Sequence, residues 1–391
     1  MMARHYVLAA GGTGGHMMPA HALAEELMAR GHRVALITDD RGSRIPGLFD
    51  RAQVHVLPAG RLAGGPVGWW KAVRATLTGR AMALRLYETF RPSAVIGFGG
   101  YPALPALLAA RRDRIPCAIH EQNAVLGRVN RLMGSKVDAI ATAYERVERL
   151  PRGAAGKVEL VGNPVRKEVL DLADRPFPPL GEDGIFRLLV TGGSQGAAIL
   201  SDVVPEGLAL LPEHFRRRLQ VTQQCRAEDI EQVRARYAEL GIPAELATYL
   251  PDLPDRLAWA HLVIARARAS TIAELTAAGR PAILIPLPSA TDDHQSANAR
   301  EMARAGGARM IPQPESTPET LARQVEALPE DPQALANAAS RALSVGRPNA
   351  ARDLADLVER IAGGKSPLLV GRAAPGGGGR GGAGGAGRET T

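Results

Sequence analysis

The sequence predicts two doubly wound α/β domains, each a parallel sheet flanked by helices. Three observations carry this. Short apolar runs of strand length alternate with stretches of helical spacing, the alternation restarts midway, and each series opens on a strand that enters a glycine-rich turn. Alternating βα units of this length imply parallel sheets covered by helices.

The first series of strand-like runs is Tyr6–Ala10, Arg33–Thr38, Gln53–Leu57, Ala94–Gly97, Cys117–His120 and Ala139–Thr142. The second is Phe186–Thr191, Leu219–Thr222, Ala244–Thr248, Leu262–Ala265, Ala282–Pro286 and Ala308–Pro312. Between them the apolar spacing is helical, as in Ala20, Leu23, Ala24, Leu27 and Met28. Val161-Gly162-Asn163-Pro164 marks the seam, giving a first domain over 1–162 and a second over 163–345. The Pro-rich Arg175–Leu180 and Gly181–Gly184 stretch reads as loop. A last helix near Asn349–Ile361 follows the Gly346-Arg347-Pro348 break. Residues 376–387 are almost all glycine, with alanine and arginine, so 366–391 is expected to be a disordered tail with no assigned function.

Composition narrows the class. Of 391 residues, 45% are hydrophobic and 23% charged, a globular balance, while only 4% are aromatic, so the core must rest on Ala, Leu, Val and Ile. Cys117 and Cys225 alone supply neither a disulfide framework nor a zinc site, and a reducing cytosol is expected. The N-terminal segment lacks the features of a signal peptide, and no stretch approaches the roughly 20 apolar residues that cross a bilayer. At a membrane, such a protein would sit on the surface. The net charge of +8 suits nucleic acid, anionic lipid or phosphorylated substrates without choosing among them.

Gly11-Gly12-Thr13-Gly14-Gly15-His16 and Gly192-Gly193-Ser194-Gln195-Gly196-Ala197 both lie between a strand and a helix. Glycines there let backbone N–H groups approach an anion or a sugar, and the helix start, near Pro19 in the first case, adds a positive dipole end. One such turn could be empty; two, each heading its own domain, point to a shared cleft. Neither matches the dinucleotide pattern, since Met17 and Ser194 occupy required glycine positions, and no Walker-type Lys-Ser/Thr follows. Hydride transfer and ATP chemistry are disfavoured.

GGTGGH at 11–16, GFGGY at 97–101, HEQN at 120–123, GNPVR at 162–166, GGSQGA at 192–197, the helix ending in Glu274, and DDHQSANA at 292–299 occur in one order. Together they resemble the MurG family of bacterial N-acetylglucosaminyltransferases, glycosyltransferase family 28, over about residues 4–362. The resemblance implies two Rossmann-like domains facing across a cleft, the GT-B arrangement, with the final helix crossing back to the first domain. It implies inverting transfer of N-acetylglucosamine from UDP-N-acetylglucosamine to the 4-hydroxyl of the muramyl sugar of undecaprenyl-diphosphate-linked lipid I. The product would be lipid II, with a β-1,4 linkage. The location implied is the cytoplasmic face of the bacterial inner membrane, as a peripheral protein, with cell-wall and division proteins as further partners and no nucleic acid.

Inverting transfer needs a base for the acceptor hydroxyl and stabilisation of the leaving diphosphate. No Asp-x-Asp occurs, so no motif calls for a divalent cation or any tightly bound cofactor, and the helix start behind Ser194 can supply the dipoles. The resemblance places the diphosphate at Ser194, Gln195 and Gly196, with Arg166 as a further charged contact. His16 is the leading base candidate, because an imidazole ordinarily titrates near about pH 6.5; the alternative is a turn histidine that caps a helix. Glu121 is a rival or supporting carboxylate. Thr13, Gly14, Gly15 and Asn123 would lie near the transferred sugar or the acceptor. Glu274, behind Ala269, Ser270 and Thr271 on a helix expected over 271–278, would take the ribose hydroxyls. Leu250 would meet uracil through its backbone, and Gln295 and Asn298 would read sugar hydroxyls. Arg268 departs from the family pattern, which has glycine there. Its side chain would crowd the nucleotide or strain a positive-φ turn, or else its charge would assist the diphosphate.

Trp69, Trp70 and Lys71, followed by Arg74, form a basic aromatic segment in which Glu88 is the only acid between 60 and 91. It suits either an anionic membrane surface or a core with a basic solvated helix. Two other functions fit the same architecture: a UDP-N-acetylglucosamine 2-epimerase or natural-product glycosyltransferase, and a non-catalytic scaffold at the cell-wall machinery.

Overall fold

The computed structural model describes residues 3–12, 14–45, 47–58, 60, 65–181, 184–193, 197–327 and 332–364. The glycine-rich stretch lies outside them, as do Thr13, Ser194, Gln195 and Gly196.

The first domain runs β1 (His5–Ala9), α1 (Gly14–Ala29), β2 (Arg33–Thr38), β3 (Gln53–Val56), α2 (Gly65–Phe90) and β4 (Ala94–Gly97). It continues through α3 (Ala103–Arg112), β5 (Cys117–Glu121), α4 (Arg128–Gly134), β6 (Ala139–Thr142) and β7 (Val158–Leu160). The second begins with α5 (Lys167–Leu170), β8 (Phe186–Thr191), α6 (Ala198–Ala209), α7 (Glu213–Arg216), β9 (Leu219–Gln224), α8 (Ile230–Glu239) and β10 (Ala244–Ala247). It ends with α9 (Leu253–Trp259), β11 (Leu262–Ala265), α10 (Ala269–Ala277), β12 (Ala282–Leu284), α11 (His294–Ala305), β13 (Ala308–Met310), α12 (Pro318–Glu326) and α13 (Pro332–Ser344). The last helix is α14 (Ala350–Ala362).

Both sheets are parallel throughout. Their strand orders are β3-β2-β1-β4-β5-β6-β7 and β10-β9-β8-β11-β12-β13. Each is buried on both faces: Tyr6 and Leu8 join one core cluster of the first domain, Val7 and Ala9 the other. Such strands read as continuous apolar runs, which is why the sequence shows them.

Three details depart from expectation. α1 starts at Gly14 rather than near Pro19, because Gly12 at φ +86° turns the chain straight from β1 into the helix. Pro19 therefore lies inside α1, where its ring lacks the N–H that would bond the Gly15 carbonyl. α10 likewise starts two residues early, at Ala269. The strand β7 has only three residues, Val-Glu-Leu, too short for a periodic signal.

The chain crosses between domains twice. After β7 it leaves through Gly162, and after α13 it returns through Arg347 beside the same point: a Cβ built on Gly162 would lie 2.6 Å from Arg347 Cβ. The returning α14 packs on α1, burying Leu354, Leu357, Val358 and Ile361 in a core cluster with Tyr6, Leu8 and Leu23. Arg30 reinforces the joint, donating to Asp356 and Glu359 at 2.6 and 2.8 Å.

Candidate active site

In an open parallel sheet the crevice for a ligand lies beyond the strand ends where the winding order reverses. Here that point falls between β1 and β4 in the first sheet and between β8 and β11 in the second. The first glycine turn follows β1 and Gly99 follows β4; the second turn follows β8 and Arg268 follows β11. α1 also touches α10.

In the first domain the turn is anchored by Asp39, whose Oδ1 accepts from the N–H groups of Gly12 and Gly42 at 3.1 and 2.9 Å. Those bonds and Arg41 hold the Asp39 carboxyl below the usual range against the opposing effect of burial. Because α1 begins at Gly14, Gly14, Gly15 and His16 occupy its first turn. His16 Nδ1 lies 2.9 Å from Gln122 Oε1. Gly99, at φ +89°, backs the ring; a Cβ there would come within 3.2 Å of His16 Cε1.

Glu121 is placed differently from a base. It is 1% exposed; one oxygen accepts from the backbone and side-chain N–H groups of Asn123 and the other from Gly127 N and Asn130 Nδ2, at 2.8–3.2 Å. With four donors directed at it, the carboxylate is a buttress for the 123–130 loop rather than a free proton acceptor.

In the second domain, Arg166 Nη2 donates to Glu274 Oε1 at 2.8 Å, so two expected donor contacts face each other as an ion pair. Burial raises the Glu274 carboxyl, and Arg166 opposes that shift. Ala269 is buried, whereas Ser270 and Thr271 are partly open at the start of α10. Leu250 buries its side chain in the core with Leu257 and Leu275.

Arg268 has extended backbone, φ −70° and ψ 147°, so no positive-φ turn is strained by its side chain. The side chain fills space above the second turn: a Cβ on Gly193, itself at φ +78°, would lie 2.8 Å from Arg268 Nη1. Burial lowers its guanidinium from the ordinary arginine range, and no carboxylate among the described residues pairs with it.

The domains meet through α11. Asn298 is 0% exposed; its Oδ1 accepts from Ala124 N at 2.8 Å, while its Nδ2 donates to Asn123 Oδ1 and Ala267 O at 3.1 and 3.2 Å. Its amide therefore ties the two domains together, with both of its polar atoms engaged by protein in this arrangement. Gln295 accepts from Leu287 N through Oε1 at 3.0 Å, with no partner for Nε2 among the described residues. At the cleft edge, Asp292 accepts from Arg131 and Arg149 of the first domain at 2.6 and 2.5 Å.

On α2, Trp69 and Trp70 are 61% and 65% exposed, beside exposed Val67 and Leu77, which removes the core-tryptophan alternative. Lys71 is exposed, and the Arg74 guanidinium lies 5.8 Å from the Trp70 ring centre. No helix among the described residues is long and apolar enough to cross a membrane.

Sequence reasoning missed Asp39, Gln122 and Asp292. Gln122 lies inside the HEQN motif and Asp292 opens the DDHQSANA segment, so position marked both; their partners, distant along the chain, did not.

The profile of the glycosyltransferase family 28 N-terminal domain matches residues 6–142, and that of the C-terminal domain matches 187–358. A Zymomonas mobilis protein named UDP-N-acetylglucosamine--N-acetylmuramyl-(pentapeptide) pyrophosphoryl-undecaprenol N-acetylglucosamine transferase is 64% identical over 360 residues, covering 92% of this chain and 93% of that protein. The protein of the same name from Novosphingobium aromaticivorans is 65% identical over 368 residues, 94% of each chain. The crystal structure of Acinetobacter baumannii MurG superposes with a TM-score of 0.73 at 31% identity, covering 91% of this chain and 99% of that one. With both domains matched in sequence and in architecture, the chain belongs to glycosyltransferase family 28 and, within it, to the MurG family.

Proposed function

We infer that the protein is an inverting hexosyltransferase that moves N-acetylglucosamine from UDP-N-acetylglucosamine to lipid I, forming lipid II in peptidoglycan synthesis. The observation that carries this reading is identity of 64% running through both domains, so that the donor half and the acceptor half are inherited together. An epimerase or a non-catalytic scaffold is not favoured. Purified protein, labelled UDP-N-acetylglucosamine and a lipid I analogue test it: a labelled β-linked disaccharide lipid is expected, and free epimerised sugar would overturn it.

The roles proposed for individual residues rest on the family resemblance. His16 takes the proton of the acceptor hydroxyl as that oxygen attacks the anomeric carbon. The carbon–oxygen bond to UDP breaks, and its electron pair leaves with the diphosphate. The turn around Ser194, Gln195 and Gly196 receives the diphosphate. Thr13, Gly14, Gly15 and Asn123 serve the transferred sugar or the acceptor, with Gln295 offering its amide N–H. Glu274, steadied by Arg166, takes the ribose hydroxyls, with Ser270 and Thr271 at the same helix start and the Leu250 backbone at the base. Turnover then depends on these protein groups without a tightly bound cofactor or divalent cation.

Arg268 supplies positive charge to the diphosphate. Arg268→Gly should weaken UDP binding about 10-fold, the loss of one charge-assisted contact, while uridine binding stays unchanged. Calorimetric titration with both ligands checks this; equal affinities for UDP in variant and parent would show the charge to be idle.

The exposed Trp69–Trp70 patch, with Lys71 and Arg74, rests on the anionic membrane that carries the lipid-linked acceptor, at its cytoplasmic face. Two large side chains withdrawn from water contribute about 1.5–3 kcal/mol each. The double variant Trp69→Ser/Trp70→Ser should therefore lose at least about 10-fold in binding to vesicles containing anionic lipid. Unchanged co-sedimentation would dismiss the patch.

A further inference from the structure

Behind His16 the first domain holds a buried line of polar groups that ends at the interdomain crossing. Gln122 Oε1 lies 2.9 Å from His16 Nδ1, Gln122 Nε2 lies 2.9 Å from His120 Nδ1, and His120 Nε2 lies 2.9 Å from the Gly162 carbonyl oxygen. His120 and Gln122 are 0% and 1% exposed, so their polar atoms must be matched within the protein.

Both ends of the line fix its direction. A carbonyl oxygen only accepts, so His120 Nε2 must carry a hydrogen. Burial holds the His120 imidazole down to about 4, so it is neutral at working pH and its Nδ1 is a bare lone pair. Gln122 Nε2 must donate to it. The same amide nitrogen also lies 3.1 Å from the His120 carbonyl oxygen, which independently sets the amide's orientation. Gln122 Oε1 therefore faces His16, and it can only accept. A neutral imidazole has one N–H, and here it must sit on Nδ1.

We propose that Gln122 and His120 are positioning residues that hold His16 in the Nδ1–H tautomer, leaving the Nε2 lone pair as the atom that receives the acceptor proton. The inference deepens, and rests on, the reading of His16 as the general base. As the acceptor oxygen bonds to the anomeric carbon, its proton passes to Nε2 and the electron pair of the breaking bond departs with UDP. The imidazolium so formed strengthens its Nδ1–H bond to Gln122, because a charged donor makes a stronger hydrogen bond. The polarised line spreads that charge toward the Gly162 carbonyl. The proton itself does not travel down the line, since the amide between the two rings offers it no basic site. It leaves from Nε2 into the cleft.

The test uses the full-length enzyme with ring-15N histidine. In the parent, His16 should show a protonated Nδ1 and a bare Nε2, its signals identified by their loss in His16→Asn. In Gln122→Met, which keeps side-chain length but cannot accept the N–H, that pattern should give way to the Nε2–H form or a mixture. Turnover should fall about 10–100-fold, as when a partner orienting a histidine is removed, with donor KM within about twofold. A parent enzyme whose His16 carries its hydrogen on Nε2 overturns the proposal without any variant. So does a Gln122→Met enzyme with unchanged kcat while His16→Ala is inactive, an outcome that leaves the base itself in place. Full turnover by His16→Ala would remove the base and its positioning residues together.

Discussion

His16→Ala lowers kcat by about 10²–10⁴-fold, the usual contribution of a positioned general base, and leaves donor KM within about threefold. The split follows from where the groups sit. On the proposed reading UDP sits on the second domain, around Gly193, Arg268 and the Arg166–Glu274 pair, whereas His16 stands in the first turn of α1. Removing the ring deletes a proton acceptor without touching the nucleotide contacts. It also opens a space beside Gly99, into which added imidazole can diffuse. Partial recovery of rate with imidazole is therefore expected. Steady-state kinetics with a lipid I analogue decide the matter: a kcat within threefold of the parent, or a loss confined to KM, removes His16 from the chemistry.

Leu357→Asp should unfold the first domain while sparing the second. Leu357 is 0% exposed in a cluster with Tyr6, Leu8, Leu23, Leu354, Val358 and Ile361. Replacing it discards a buried aliphatic side chain, about 2–5 kcal/mol for truncation alone, and places a carboxylate where no partner awaits it. That exceeds much of the roughly 5–15 kcal/mol stability of a whole domain. The acidic neighbours Asp356 and Glu359 already share Arg30, so no free cation compensates from that side. Hydrogen exchange read by mass spectrometry separates the domains: amides of β1, β2 and β4 should lose protection and those of β8 and β11 should keep it. Uniform loss, or none, contradicts the assignment of α14 to the first core.

How far the sequence led depended on the range of the interaction. The central parallel strands were legible because burial on both faces makes them apolar runs, and strand ends shift by at most about two residues. The places of His16 at the start of α1 and of Glu274 on α10 were legible through motif and spacing. β7 was not: three residues containing Glu159 look like loop, and Glu159 pairs with Arg360 on the distant α14. Whether Glu121 rivals or supports His16 was left open, because its four donors come from Asn123, Gly127 and Asn130, along a path no local rule predicts. The bonds Asn298 makes were not legible because its partners, Ala124 and Asn123, belong to the other domain. The backbone strain expected at Arg268 is absent for a local reason, an extended backbone, that composition could not reveal.

The twofold crossing also orders the events of biosynthesis. Strands β1–β7 leave the ribosome well before α14, yet the cluster of Tyr6, Leu8 and Leu23 is completed by Leu354, Leu357, Val358 and Ile361 of α14. Domains ordinarily mature in the order they are translated. Here the half made first must wait with an oily groove uncovered until the second half has emerged and its trailing helix docks. Nascent chains stalled before residue 350 are the species a chaperone would meet.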